Sequence, residues 1–141
     1  MPDVKPLADD LCVCAFVPPD KLAELAPRFR TIINNRPDAE EPGHPSSAEI
    51  EAEARRLGLD YVHIPVVPGK ISDDQAAAFG EAIARRKGPF LAFCRTGTRS
   101  TMLWALSQSG KRSPDEIMEA AAAAGYDLNA LRPKLAEKAA T

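Results

Sequence analysis

An α/β fold, with a mostly parallel central sheet and helices on both faces, is predicted by two observations. Short segments rich in Ile, Val, Phe and Tyr alternate with amphipathic helical ones. The helical segments also carry clear start signals, because Ser46, Ser72 and Ser113 are each followed three residues later by Glu49, Gln75 and Glu116. In that pattern the serine and the acid or amide satisfy two orphan amide groups reciprocally. A chain of 141 residues fits one domain, residues 1–141, whose core needs no disulfide or metal.

Taken in order, residues 11–16 read as a strand, and Pro18-Pro19-Asp20 opens a short helix through Leu25. Residues 31–34 form the next strand. Residues 36–45 hold three prolines, a glycine and three acids, so they are a surface loop. A helix over 47–57, a strand over 59–65, a helix over 73–87 and a strand over 90–94 follow. Helices over 100–109 and 114–124 come next, with Pro114 at a first position that needs no amide hydrogen. Gly58, Gly88, Gly110 and Gly125 fall where left-handed C-terminal caps are wanted. From Asp127 onward the tail reads as a last helix, broken or begun at Pro133.

The composition narrows the function. With 45% hydrophobic and 27% charged residues and a formal net charge of −2, nothing favours nucleic acid. Met1-Pro2-Asp3-Val4-Lys5 lacks the start of a signal peptide and no apolar run reaches membrane-spanning length, so a cytoplasmic location without membrane contact is expected. Cys12, Cys14 and Cys94 form neither a disulfide framework nor a zinc signature. Neither metal nor cofactor is expected.

In an α/β sheet, ligands bind beyond the carboxyl ends of the strands, where the chain turns into a helix with its amides pointing outward. Phe90-Leu91-Ala92-Phe93 is a buried-strand pattern that stops at Cys94, and a helix starts about Arg99 or Ser100. Between them Arg95, Thr96, Gly97 and Thr98 can curl their amides into an anion-cradling nest. A helix N-terminus and a nearby guanidinium favour thiolate over thiol, which makes Cys94 a nucleophile. Arg99 is the anion-binding residue expected here, since its planar fork matches an oxyanion, and Ser100 is expected either to donate to the thiolate or to serve only as a first-turn helix residue.

The string Cys94-Arg95-Thr96-Gly97-Thr98-Arg99-Ser100 resembles the active-site loop of rhodanese-type sulfurtransferases. The whole chain, through Phe29-Arg30-Thr31-Ile32-Ile33-Asn34-Asn35-Arg36-Pro37-Asp38 and Tyr61-Val62-His63-Ile64-Pro65-Val66, is similar to a bacterial protein-tyrosine-phosphatase-like family. That family is the phosphatase-like domain attached to, or encoded beside, beta-lactamase-hydrolase-like persulfide dioxygenases. The resemblance implies a dual-specificity-type phosphatase architecture and a persulfide dioxygenase as partner.

Three departures from phosphatases point to sulfur. Phosphatase loops place one more residue between cysteine and arginine than the four found here, Phe93 stands where phosphatases have histidine, and Val67 or Pro68 occupies the usual place of the general acid. Asp73 or Asp74 is the candidate replacement acid, and both also read as first-turn residues that complement a helix dipole. The resulting expectation is sulfane-sulfur transfer through a Cys94 persulfide, with thiosulfate or a low-molecular-weight persulfide as donor. Phosphoester hydrolysis through a phosphocysteine is the alternative, and a non-enzymatic oxyanion or reactive-sulfur sensor a further one. Cys12 and Cys14 share one strand face and read as core residues or a persulfide relay. His44 is a candidate for the pocket rim, His63 a strand residue, and Arg36 either extends the anion field or serves the turn before Pro37.

Overall fold

A computed structural model describes residues 4–38 and 40–140. Met1 to Asp3, where the absence of a signal peptide was expected, lie outside the described residues, as do Ala39 and Thr141. Five strands, β1 (Lys5–Ala8), β2 (Leu11–Cys14), β3 (Thr31–Asn34), β4 (Asp60–His63) and β5 (Phe90–Phe93), form one sheet in the order β1-β2-β5-β3-β4. The pairs β2/β5, β5/β3 and β3/β4 are parallel, and only β1 runs antiparallel. The mostly parallel sheet is therefore as predicted. β1 was not anticipated, because Pro6 disguises it; proline cannot donate to a ladder and is tolerated only on an edge strand, where β1 lies.

The helices are α1 (Pro19–Leu25), α2 (Ser47–Arg56), α3 (Asp73–Arg85), α4 (Thr98–Ser107), α5 (Pro114–Ala123) and α6 (Arg132–Ala140). Short 3-10 turns at Ala26–Arg28 and Asn129–Leu131 follow α1 and precede α6. The caps at Ser72 and Ser113 are reciprocal boxes as expected. At Ser46 only half the box forms: its hydroxyl accepts from the Glu49 amide, while the Ser47 amide donates to Asp38 Oδ1 at 2.6 Å. The acid of the preceding loop thus takes an orphan amide of α2. Gly58, Gly110 and Gly125 have the positive φ of left-handed caps. Gly88 is the exception; α3 ends at Arg85, and Gly88 admits the packing of Asp10 and Phe90, whose atoms would lie 2.9 and 3.0 Å from a Cβ there.

Strand alternation sorts the core into two faces. Ile33, Phe90 and Ala92 point toward Phe79 of α3, Leu103 and Trp104 of α4 and Ile117 of α5. Ile32, Leu91 and Phe93 point toward Leu22 and Leu25 of α1 and Ile50 and Ala54 of α2. Each fully buried large apolar side chain is worth roughly 1.5–3 kcal/mol, so both layers hold the sheet firmly. α4 buries Leu103, Trp104, Ala105 and Leu106 together, which makes it the central helix of its face. No helix among the described residues is long and apolar enough to cross a membrane.

Candidate active site

Because β2, β5, β3 and β4 are parallel, their carboxyl ends meet on one side of the sheet. This brings Phe16, Cys94, Asn35-Arg36 and Ile64-Val66 together. Cys94 leaves β5 directly after Phe93, whose carbonyl accepts from the Asn35 amide at 2.8 Å. The next residues bend back so that the Gly97 amide donates to Cys94 Sγ at 3.1 Å. Gly97, with φ of 95°, is the N-cap of α4, and its carbonyl accepts from the Thr101 amide and hydroxyl at 3.0 and 2.8 Å. α4 therefore starts at Thr98, slightly earlier than predicted. Behind the loop, Tyr126 Oη donates to the Thr96 carbonyl at 3.1 Å. Thr96 and Thr98 join hydroxyl to hydroxyl at 3.0 Å on the exposed flank.

Cys94 is fully buried, and Arg99 is only 8% exposed. The Arg99 fork donates from Nη1 to the Val66 carbonyl at 2.6 Å and from Nη2 to Glu40 Oε1 at 2.9 Å. Its Nη1 also lies 2.7 Å from Glu40 Oε2. An oxyanion is thus gripped by Arg99 in the structure, and it comes from the chain itself. Burial pulls the Glu40 carboxyl upward, but its bonds to Arg99 and the charge of Arg36 outweigh this and hold it below the usual carboxylate range.

Other loop residues are spread apart. Arg95 points outward and pairs with Glu41 at 2.9 Å, its side chain 61% exposed. Ser100 donates to Asn35 Oδ1 at 2.7 Å and not to the thiol. Asp73 sits in the first turn of α3, paired with Lys134 and Lys138 of α6 at 3.3 and 3.0 Å, and Asp74 is exposed beside it. Cys14 is buried among Leu22, Phe93 and their neighbours. Burial, aided by Cys94 and Cys12, pushes its thiol up to about 12, and burial raises Cys12 as well. His63 Nε2 lies 2.9 Å from the Arg36 carbonyl.

Sequence reasoning missed Glu40 and Phe16, and left Arg36 undecided. Arg36 is 4% exposed, with its guanidinium 4.6 Å above the Phe16 ring and Nη2 2.8 Å from His44 Nδ1. His44 stacks on the other partner of this group, Phe16, at 4.9 Å between centroids. The acids of the 36–45 loop were visible, yet nothing local says which of them folds back on an arginine 59 positions away.

A buried cysteine and arginine in one strand-to-helix loop, beyond a parallel sheet, place the chain among phosphatase-like α/β domains. The catalytic core of a PP-IP phosphatase from S. cerevisiae superposes with a TM-score of 0.67, covering 95% of this chain and 83% of that one, at 16% identity. A structure from Neisseria meningitidis, described provisionally as a phosphatase, superposes with a TM-score of 0.84 at 31% identity over 95% of this chain and 96% of the other. Residues 3–111 match the family described as beta-lactamase hydrolase-like protein, phosphatase-like domain, and the chain belongs to it. A beta-lactamase hydrolase-like protein of Xylella fastidiosa is 42% identical over 112 residues, 77% of this chain and 26% of the relative. The chain thus spans about a quarter of the length of that relative.

Proposed function

We propose that the protein hydrolyses phosphomonoesters through a phosphocysteine at Cys94. The observation that carries this reading is the grip of Arg99 on an oxyanion, the Glu40 carboxylate, at the mouth of the loop that folds over Cys94. A phosphoryl group held there presents its phosphorus to Sγ, with the Arg99 fork on its equatorial oxygens. The thiolate attacks phosphorus, a P–S bond forms as the bond to the ester oxygen breaks, and the alkoxide or phenoxide leaves with a proton from water. Water then attacks the phosphocysteine, releasing orthophosphate and restoring the thiolate.

This replaces sulfur transfer as the leading reading. The short loop and the missing acid favoured sulfur, but membership of a phosphatase-like family and the phosphatase neighbours support a phosphoester substrate. They lend nothing to a sulfur donor or a dioxygenase partner. Intact mass spectrometry of protein quenched during turnover of an aryl phosphate tests the choice. One phosphoryl group should appear on wild type and none on Cys94→Ser. A gain of one sulfur from thiosulfate, with no phosphoryl adduct, would return the reading to sulfur transfer.

A further inference from the structure

We infer that Glu40 is an internal stand-in for the substrate's phosphoryl group, and that Arg36 is a second guanidinium that takes that group when Glu40 leaves. The inference rests on the phosphoester reading and names the charge state the site selects, a phosphoryl dianion.

The carboxylate lies between two buried guanidiniums. Its Oε1 accepts from Arg99 Nη2 at 2.9 Å and sits 3.3 Å from Arg36 Nε. The fit is poor on both sides: Arg36 Nε and Glu40 Oε2 are buried without an aligned hydrogen bond. A buried donor left unsatisfied is costly, and two guanidiniums outweigh one carboxylate in charge. A tetrahedral phosphoryl dianion removes both mismatches. It brings three oxygens in different directions, enough for the fork of Arg99 and the Nε of Arg36, and two negative charges for two positive ones.

Arg36 does not depend on Glu40 for its position. Its backbone amide donates to Asn34 Oδ1 at 2.8 Å, its Nη2 meets His44 Nδ1, and its plane lies on Phe16, which packs edge-on against Phe93 at 6.0 Å. The contacts with Asn34 and Phe16 lie outside the loop that carries Glu40, so they hold the guanidinium in place after the carboxylate swings out. Glu40 is flanked on the loop by two tethers, the bond from the Ser47 amide to Asp38 and the largely exposed pair of Glu41 with Arg95.

Calorimetric titration of orthophosphate into wild type, Glu40→Gln, Arg36→Met and the double variant, each checked for folding by circular dichroism, decides the matter. Removing the competing charge should tighten phosphate at least about tenfold in Glu40→Gln, and Arg36→Met should abolish that gain in the double variant. Should Arg36→Met fail to fold, Arg36→Lys replaces it, with the gain reduced because the planar fork is lost. Phosphate affinity unchanged or weaker in Glu40→Gln overturns the inference, as does a gain that survives the loss of Arg36. Loss of alkyl-phosphate turnover in Glu40→Gln at unchanged phosphate affinity would also overturn it, making Glu40 a proton donor. Because binding is read apart from turnover, tighter phosphate without hydrolysis would sink the phosphatase reading alone.

Discussion

The Ser100 hydroxyl donates to Asn35 Oδ1 at 2.7 Å, joining residues 65 apart in the chain inside the protein. Asn35 Nδ2 donates to the Ile64 carbonyl at 3.0 Å, its backbone amide to Phe93, and its carbonyl accepts from Val66. One buried asparagine therefore ties the start of α4 to the ends of β5, β3 and β4. This is the frame on which Cys94, Arg99 and the Val66 carbonyl keep their spacing.

Ser100→Ala leaves Asn35 Oδ1 buried without a donor, which costs about 1–3 kcal/mol. Asn35→Ala loses more, since it strands the Ile64 carbonyl and opens a cavity as well. Chemical denaturation of both singles and the double should show a double smaller than the sum, because the shared bond is lost only once. Strict additivity would show that the two side chains do not cooperate.

Gly97 faces a different constraint. A Cβ there would lie 2.1 Å from Tyr126 Oη and 2.8 Å from Cζ, and φ of 95° already disfavours any side chain. Gly97→Ala should lose turnover and stability together, since the amide that faces Cys94 must move. Gly97→Ala with Tyr126→Ala removes the worst clash but neither the φ strain nor the close Cys14 carbonyl at 3.2 Å, so it should recover part of the stability, read as melting temperature. Full activity in Gly97→Ala would mean that the loop tolerates another shape.

The parts of this site that were legible in sequence are those with local signatures. Phe90-Leu91-Ala92-Phe93 followed by Cys94 and a glycine reads as a strand breaking into a nest, and the serine caps delimit α3 and α5 because capping acts within one turn. What was not legible depends on distant contacts. Glu40 reaches Arg99 through a loop with no periodicity, Ser100 turns to Asn35 because β3 ends beside it, and Asp73 is claimed by lysines of α6. Each of these pairings follows from how the strands and helices are arranged in space, which the sequence does not spell out. β1 escaped notice for a simpler reason: Pro6 argues against a strand unless its edge position is known.

Stability should depend on acid through Glu40. Its carboxyl is held below the usual range, so its contribution is present above the unfolded value of about 4.3 and is lost as pH falls through the lower folded value. Glu40→Gln lacks this linkage. The melting temperature of wild type relative to Glu40→Gln should therefore be constant from neutral pH down to about 5 and then fall as the carboxylate is protonated. A difference that is unchanged through this acid range would mean that the ion pairs with Arg99 and Arg36 do not form in solution.

The last prediction concerns the leaving group. Residues 67 and 68 are valine and proline, and Asp73 is held by Lys134 and Lys138 in the first turn of α3, so neither the usual position nor Asp73 offers the cradle a carboxyl. General-acid help is worth roughly 10²- to 10⁴-fold for a poor leaving group and little for a phenol of low pKa. Aryl phosphates should accordingly be cleaved far faster than alkyl phosphates, with a steep dependence of rate on leaving-group pKa. Asp73→Asn and Asp74→Asn should leave that dependence unchanged, and Asp73→Asn should barely move the melting temperature, because exposed ion pairs contribute little. If alkyl phosphates turn over as fast as aryl ones, and either variant restores the steep dependence, then the turn after β4 must fold over the mouth during the reaction and carry its acid with it. The pairing of Asp73 with α6 would then have to break in each cycle, and Lys134→Ala with Lys138→Ala should speed alkyl-phosphate hydrolysis; no change in those variants would leave water as the proton source.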